Sequence, residues 1–184
     1  MAEPHVDTIV RGGKVVSSSQ VFEASIAIKG EQLAAVGPEQ LLPKADQYID
    51  AEGKFVLPGL IDSHVHLDGH DDYALGALAA AHAGLTTLVP FGNYALEGDE
   101  TLDQAIRRIQ DEVGTAALVD FGFHFILQNR PSILASLPKA MELGIKSFKM
   151  FMTYKKRPGR MCDDAYICNA MEIVAKGGGV LPRH

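Results

Sequence analysis

Two cysteines, Cys162 and Cys168, are too few to build a disulfide framework in a chain of 184 residues. A chain this long can bury a core without staples. The small, disulfide-held secreted class is therefore excluded, and a reducing cytoplasm is expected. A basic excess is also lacking: 17 Lys plus Arg stand against 23 Asp plus Glu, a formal charge of −6. That balance argues against a nucleic-acid partner, whose footprint is a basic patch. No long apolar run occurs either. The longest weakly polar stretch, Leu75 to Val89, is interrupted by His82, Gly84, Thr86 and Thr87, and is too short to cross a bilayer. Met1-Ala2-Glu3-Pro4-His5 has neither the basic nor the apolar region of a signal peptide. No glycine-rich phosphate loop follows a predicted strand, which ranks a free-standing flavodoxin-like binding domain last. What is present is 47% hydrophobic and 22% charged residues, a soluble globular balance that excludes a disordered tail.

The chain reads in two parts, 1–56 and 57–184. In the first, Thr8-Ile9-Val10, Lys14-Val15-Val16, Ser25-Ile26-Ala27-Ile28 and Leu33-Ala34-Ala35-Val36 are short β-prone runs. Gly12-Gly13, Gly30-Glu31 and Gly37-Pro38 punctuate them, so a small antiparallel β-sheet portion is expected. After Pro58-Gly59, apolar runs recur at Leu60-Ile61, Thr87-Leu88-Val89, Leu118 to Phe121, Phe148 to Phe151 and Val180-Leu181. Helical patterns lie between them over 71–83, 99–113, 132–143 and 163–176. Leu102, Ile106, Ile109 and Val113 recur at three to four residues, and Gly144 and Gly177 stand at helix ends. Strand then helix about every 30 residues is the signature of parallel βα units in an α/β fold. Five such strands are either an open sheet or about half of a (β/α)8 barrel, which takes ~250 residues when complete.

Two constellations carry chemistry. In Leu57-Pro58-Gly59-Leu60-Ile61-Asp62-Ser63-His64-Val65-His66, the histidines lie two apart at a strand end, so both imidazoles face one side. A shared divalent metal is one reading, and a solvated or core pair is the other. The site of a parallel α/β fold gathers where its strands end. In Lys146-Ser147-Phe148-Lys149-Met150-Phe151-Met152-Thr153-Tyr154, a lysine interrupts an apolar strand. Alternation puts Ser147, Lys149 and Phe151 on one face, and Phe148, Met150 and Met152 on the other. An interior lysine must pair or lose its charge, whereas one at a strand end can snorkel to water.

Pro58-Gly59-Leu60-Ile61-Asp62-x-His64-x-His66, followed by Ser147-Phe148-Lys149-x-Phe151-Met152-x-Tyr154, resembles the dihydropyrimidinase/hydantoinase branch of the amidohydrolase superfamily. The β-rich start, the βα units and the Asp120 to His124 strand fit as well, so the likeness runs over essentially the whole chain. It implies a (β/α)8 TIM barrel, here about its first five units in 57–184, preceded by a small N-terminal β-sandwich portion in 1–56. It implies two divalent metal ions, usually zinc, with His64 and His66 on one of them. Lys149 would take up CO2 as a carbamate whose oxygens bridge both metals, and a shared hydroxide, its pKa brought to ~7, would open the ring. Tyr154 would donate to the oxyanion. His184, at the end of the fifth strand, would be a further metal ligand, although Pro182 suits a parallel strand poorly.

The implied function is hydrolysis of a cyclic amide, a dihydropyrimidine or a 5-substituted hydantoin, by a cytoplasmic homo-oligomer, dimer or tetramer, with no membrane partner. The alternative is a non-catalytic dihydropyrimidinase-related scaffold, against which His64, His66, Lys149 and Tyr154 count. The family's later metal histidine and its catalytic aspartate come from strands past residue 184, so residues 1–184 alone are expected to be inactive. The short loop from Asp68 to Tyr73 leaves the substrate's identity open. Among the other histidines, His82 reads as packing or surface, His70 as a solvated loop, and His124 as a strand residue near the site.

Overall fold

The computed structural model describes residues 5–67, 72–92 and 100–181. It divides into two compact units after Pro58. Among the described residues, no helix is long and apolar enough to cross a membrane.

In the first unit, β1 (His5–Val16), β2 (Val21–Lys29), β3 (Gln32–Gly37), β4 (Lys44–Asp50) and β5 (Phe55–Val56) form one sheet in the order β3-β2-β1-β4, with β5 also on β1. Val6, Ile9 and Ala27 are its buried centre, packed by Ala35, Leu42 and Ala45. The expected antiparallel sheet is corrected in two ways. The runs around Ile9 and Val15 are one strand, interrupted by a register shift between Val10 and Gly13. Gly12 takes φ 71° there, a left-handed conformation that glycine adopts without strain. The sheet is also mixed, because β4 and β5 run parallel to β1. β4 had no hydrophobic alternation to announce it: six of its seven residues are exposed.

The second unit alternates strand and helix: β6 (Leu60–Val65), α1 (Tyr73–His82), β7 (Leu85–Gly92), α2 (Leu102–Ala116), β8 (Asp120–Phe121), β9 (His124–Ile126), α3 (Pro131–Glu142), β10 (Ser147–Lys149) and α4 (Asp164–Lys176). All strand pairs are parallel, in the order β10-β9-β7-β6, with β8 beside β7. The predicted third strand is thus two short pieces, parted at Gly122-Phe123. The fifth strand is a single bridge, Ser147 to Val180, held by bonds from Phe148 N to Val180 O and from Val180 N to Lys146 O.

The helices form where the periodicity places them, and local chemistry sets their starts. Asp72 accepts from Leu75 N at 2.6 Å, Thr101 and Gln104 make a capping box, and Asp163 accepts from Tyr166 N at 2.8 Å. Such caps are worth ~1 kcal/mol each. Leu102, Ile106, Ile109 and Val113 of α2 pack with Ile133, Leu137 and Met141 of α3 and with Tyr166, Ile167 and Val174 of α4. The sheet presents Phe125, Leu127, Phe148 and Met150 to this layer. The opposite pleat carries Phe91, Ile126 and Phe151, a separate buried cluster. One face of the sheet is therefore tied to helices, and the other carries this second cluster.

Candidate active site

Strand register puts the chemical residues in one row. Phe91 of β7 pairs with His124 of β9, and His124 pairs with Ser147 of β10. On the other flank Val65 of β6 pairs with Pro90, so His66 comes level with Phe91. Level residues on parallel strands point to the same face. The Phe91 ring is accordingly the centre of the site: its centroid lies 4.7 Å from that of His64, 4.8 Å from that of His66 and 4.9 Å from that of His124. The His66 ring stacks on it, with planes 15° apart, and the two metal-candidate imidazoles are 5.5 Å apart, edge to face. Gly92 follows Phe91, and a Cβ there would stand 2.8 Å from the Phe125 ring, so glycine is required for the strand to pass.

Lys149, on β10, enters the same cluster. Alternation holds for Ser147, Lys149 and Phe151, which share the chemical face, and for Phe148 and Met150, which face the helices. Met152 departs from it. The β10 ladder ends at Lys149, the chain continues through a Phe151–Met161 bridge, and Met152 is 48% exposed rather than packed. Lys149 itself is only 6% exposed, and its Nζ lies 4.5 Å from the Phe91 centroid and 5.2 Å from that of Phe151. Among the described residues no carboxylate pairs with it. Ring faces attract a cation by ~0.5–2 kcal/mol, less than burial costs it, and burial lowers the amine's pKa.

Tyr154 follows on a tight turn. Its φ of 69° is the positive value among the described non-glycine residues, a strain of ~1 kcal/mol or more. Three contacts hold it: Arg157 N donates to Tyr154 O at 2.8 Å, the Arg157 guanidinium lies 5.2 Å from its ring, and Phe151 meets that ring edge-on at 5.2 Å. Tyr154 thus joins Lys149 through Phe151, and the residue is 47% exposed.

His184 and Pro182, like His70 and Asp68, lie outside the described residues. His82 ends α1 and is exposed. Sequence alone does not single out Phe91, because an aromatic near a strand end reads as core. Its one signal was position, at the carboxyl end of the second parallel strand.

Among the described residues no three His, Cys, Asp or Glu side chains are placed to hold a metal ion. The fit of a metal therefore depends on Lys149. Two imidazoles give two neutral nitrogen donors, and a closed site needs more. A buried lysine amine beside them, with no anionic partner among the described residues, is the unusual feature that an added anionic donor would resolve.

The amidohydrolase family's sequence profile matches residues 47–115. D-hydantoinase of Geobacillus stearothermophilus is 35% identical over 156 residues, covering 80% of this chain and 32% of the relative. Dihydropyrimidinase-related protein 5 of Homo sapiens is 31% identical over 159 residues, covering 82% and 28%. A solved D-hydantoinase structure superposes with a TM-score of 0.87 at 30% identity, covering 97% of this chain and 40% of that one. The chain spans between about a third and two-fifths of the length of the D-hydantoinases it matches. The second unit is a partial (β/α)8 barrel, and the first is an N-terminal β portion. In sequence and in fold the chain is similar to the N-terminal part of proteins of the hydantoinase/dihydropyrimidinase branch of the amidohydrolases.

Proposed function

We propose that the whole protein is a metal-dependent hydrolase that opens a cyclic amide, either a dihydropyrimidine or a 5-substituted hydantoin. The observation that carries this reading is the gathering of His64, His66 and buried Lys149 around Phe91. The substrate class rests on relatives named D-hydantoinase.

In this reading His64 and His66 hold one divalent ion, with zinc the metal best matched to imidazole. Lys149 contributes after modification. Burial favours its neutral amine, whose nitrogen adds to the carbon of CO2. One proton leaves, and the carbamate's two oxygens give an anionic, bidentate donor suited to a pair of ions. His184 is a further ligand on the resemblance alone. When bound, the metal ions polarise the amide carbonyl and lower the pKa of a water. Tyr154 donates its phenolic hydrogen to the carbonyl oxygen as charge builds there in the tetrahedral state. The Phe91 and Phe151 rings keep bulk water from the Lys149 nitrogen, which protects a carbamate from protonation and loss of CO2.

A homo-oligomer, dimer or tetramer, in the cytoplasm completes the reading. The cytoplasmic assignment is supported by two unpaired thiols, Cys162 and Cys168.

Elemental analysis tests the site. The parent protein is expected to carry divalent metal, Lys149→Ala to lose most of it, and Lys149→Arg not to restore it, since a guanidinium does not form the carbamate. Unchanged metal in Lys149→Ala would overturn the reading. Ring opening of dihydrouracil or hydantoin, followed by falling ultraviolet absorbance and abolished by chelation, tests the activity. A second reading is favoured by the match to dihydropyrimidinase-related protein 5: a non-catalytic assembly protein. It is supported instead if the metal-loaded whole protein turns over neither substrate.

A further inference from the structure

His124 joins strands that the ladder does not. In the order β10-β9-β7-β6, main-chain bonds link neighbours only, so β6, with His64, and β10, with Lys149, are separated by two strands. The His124 ring spans this gap. Its Nδ1 lies 2.6 Å from Ser147 Oγ on β10, and its Nε2 lies 2.9 Å from Ser63 O on β6. Between these contacts the ring rides over Phe91, centroid to centroid 4.9 Å.

The chemistry of the partners fixes the donors. A carbonyl oxygen only accepts, so Nε2 carries the hydrogen and donates to Ser63. In a neutral ring Nδ1 is then the acceptor, and the Ser147 hydroxyl donates to it.

The Ser63 carbonyl belongs to the peptide unit whose N–H is that of His64. That N–H donates to Asp62 Oδ1 at 3.0 Å. The ladder between β6 and β7 is irregular between Asp62 and Val65, so regular pairing does not orient this peptide. It is held from both ends instead, by His124 at the carbonyl and by Asp62 at the amide. The tilt of that plane sets the direction in which the His64 side chain leaves the backbone. At the other end, Ser147 lies two residues before Lys149 on the same face.

We propose that His124 is a positioning residue that sets the His64 arm of the metal site against the Lys149 arm. This rests on the metal-site reading above. Both ring nitrogens of His124 are engaged by Ser147 and Ser63, so it acts through the Ser63–His64 peptide and through Ser147 rather than as a ligand.

The test uses the whole protein with Co2+ as the metal probe, and amide hydrogen exchange as a readout that needs no metal. His124→Phe keeps a ring over Phe91 but removes both bonds. It is expected to melt cooperatively, to exchange faster at 63–65 and at 147–149, and to bind Co2+ about 10- to 100-fold more weakly with an altered visible spectrum. His124→Gln, whose amide still reaches Ser63, should recover more affinity than His124→Asn, which can serve only Ser147. If His124→Phe does not fold, Ser147→Ala removes one arm and is expected to shift the Co2+ spectrum in the same direction. Faster exchange with unchanged Co2+ affinity and spectrum would make His124 merely structural and overturn the proposal. A parent chain that binds no Co2+ overturns the metal reading and this proposal with it. The parent's own Co2+ binding tells the two failures apart: present when only the His124 role fails, absent when the metal reading fails.

Discussion

The Nζ of Lys149 lies 4.5 Å from the centre of the Phe91 ring, on the strand face opposite the helix-packed core. A charged amine in this setting loses most of its hydration and, among the described residues, regains only the attraction of two ring faces. The neutral amine is the better guest.

A pH dependence follows for the metal-free chain in CO2-free buffer. Burial lowers the folded pKa of Lys149 below its usual 10.5. Between the folded value and 10.5 the unfolded chain holds more protons than the folded one, so stability rises with pH across that window. Below the folded value both states are charged, and the burial cost is felt in full. Urea midpoints measured from neutral to alkaline pH should therefore climb for the parent. They should be higher at neutral pH, and climb less, in Lys149→Met.

What could be read in advance, and what could not, divides along physical lines. The amphipathic period of α2 announces itself because Leu102, Ile106, Ile109 and Val113 pack on one side. The Ser147-Lys149-Phe151 face follows from the period of a strand. β4 stayed hidden because its residues are almost all exposed, and the split between β8 and β9 because pairing ends at Gly122 are matters of tertiary contact. In the site, His64, His66 and Lys149 were visible as residue types in motifs. Phe91 as their common platform, and the His124 link, depend on register among strands up to 61 residues apart. The left-handed turn at Tyr154 had no sequence signal, since tyrosine does not favour it.

The two thiols should report the fold. Cys162 is buried, its Sγ 3.8 Å from Leu127 O, and burial pushes its pKa up; Cys168 is exposed on α4. A thiolate is the reacting species, so a disulfide reagent should titrate one thiol quickly in the native chain and two in urea. Two fast thiols under native conditions would mean that the packing of Cys162 against Leu127 is not kept in solution.

Leu137 and Leu118 separate core from surface. Leu137 is fully buried in α3 among α2 and α4 side chains, whereas Leu118 is 63% exposed. Leu137→Ala should cost ~2–5 kcal/mol, and Leu118→Ala within ~0.5 kcal/mol, as read from urea unfolding. Similar costs at both positions would contradict the packing described for α3.

Tyr154 allows a test that separates chemistry from architecture. Its backbone is held by Arg157 N, and its ring by Phe151 and the Arg157 guanidinium; none of these contacts uses the phenolic oxygen. Tyr154→Phe therefore preserves the turn and the ring packing while deleting the one donor assigned to the developing oxyanion. Removing such a donor costs ~10²–10³-fold in kcat. In the metal-loaded whole protein, kcat for hydantoin should fall by about that factor, with metal content and melting temperature near those of the parent. The effect should fall on kcat more than on KM, because the hydrogen bond strengthens only as charge builds on the oxygen. A Tyr154→Phe enzyme with parent kcat would remove Tyr154 from the reaction. Loss of metal in the same variant would instead assign the phenol a part in holding the Lys149 end of the site.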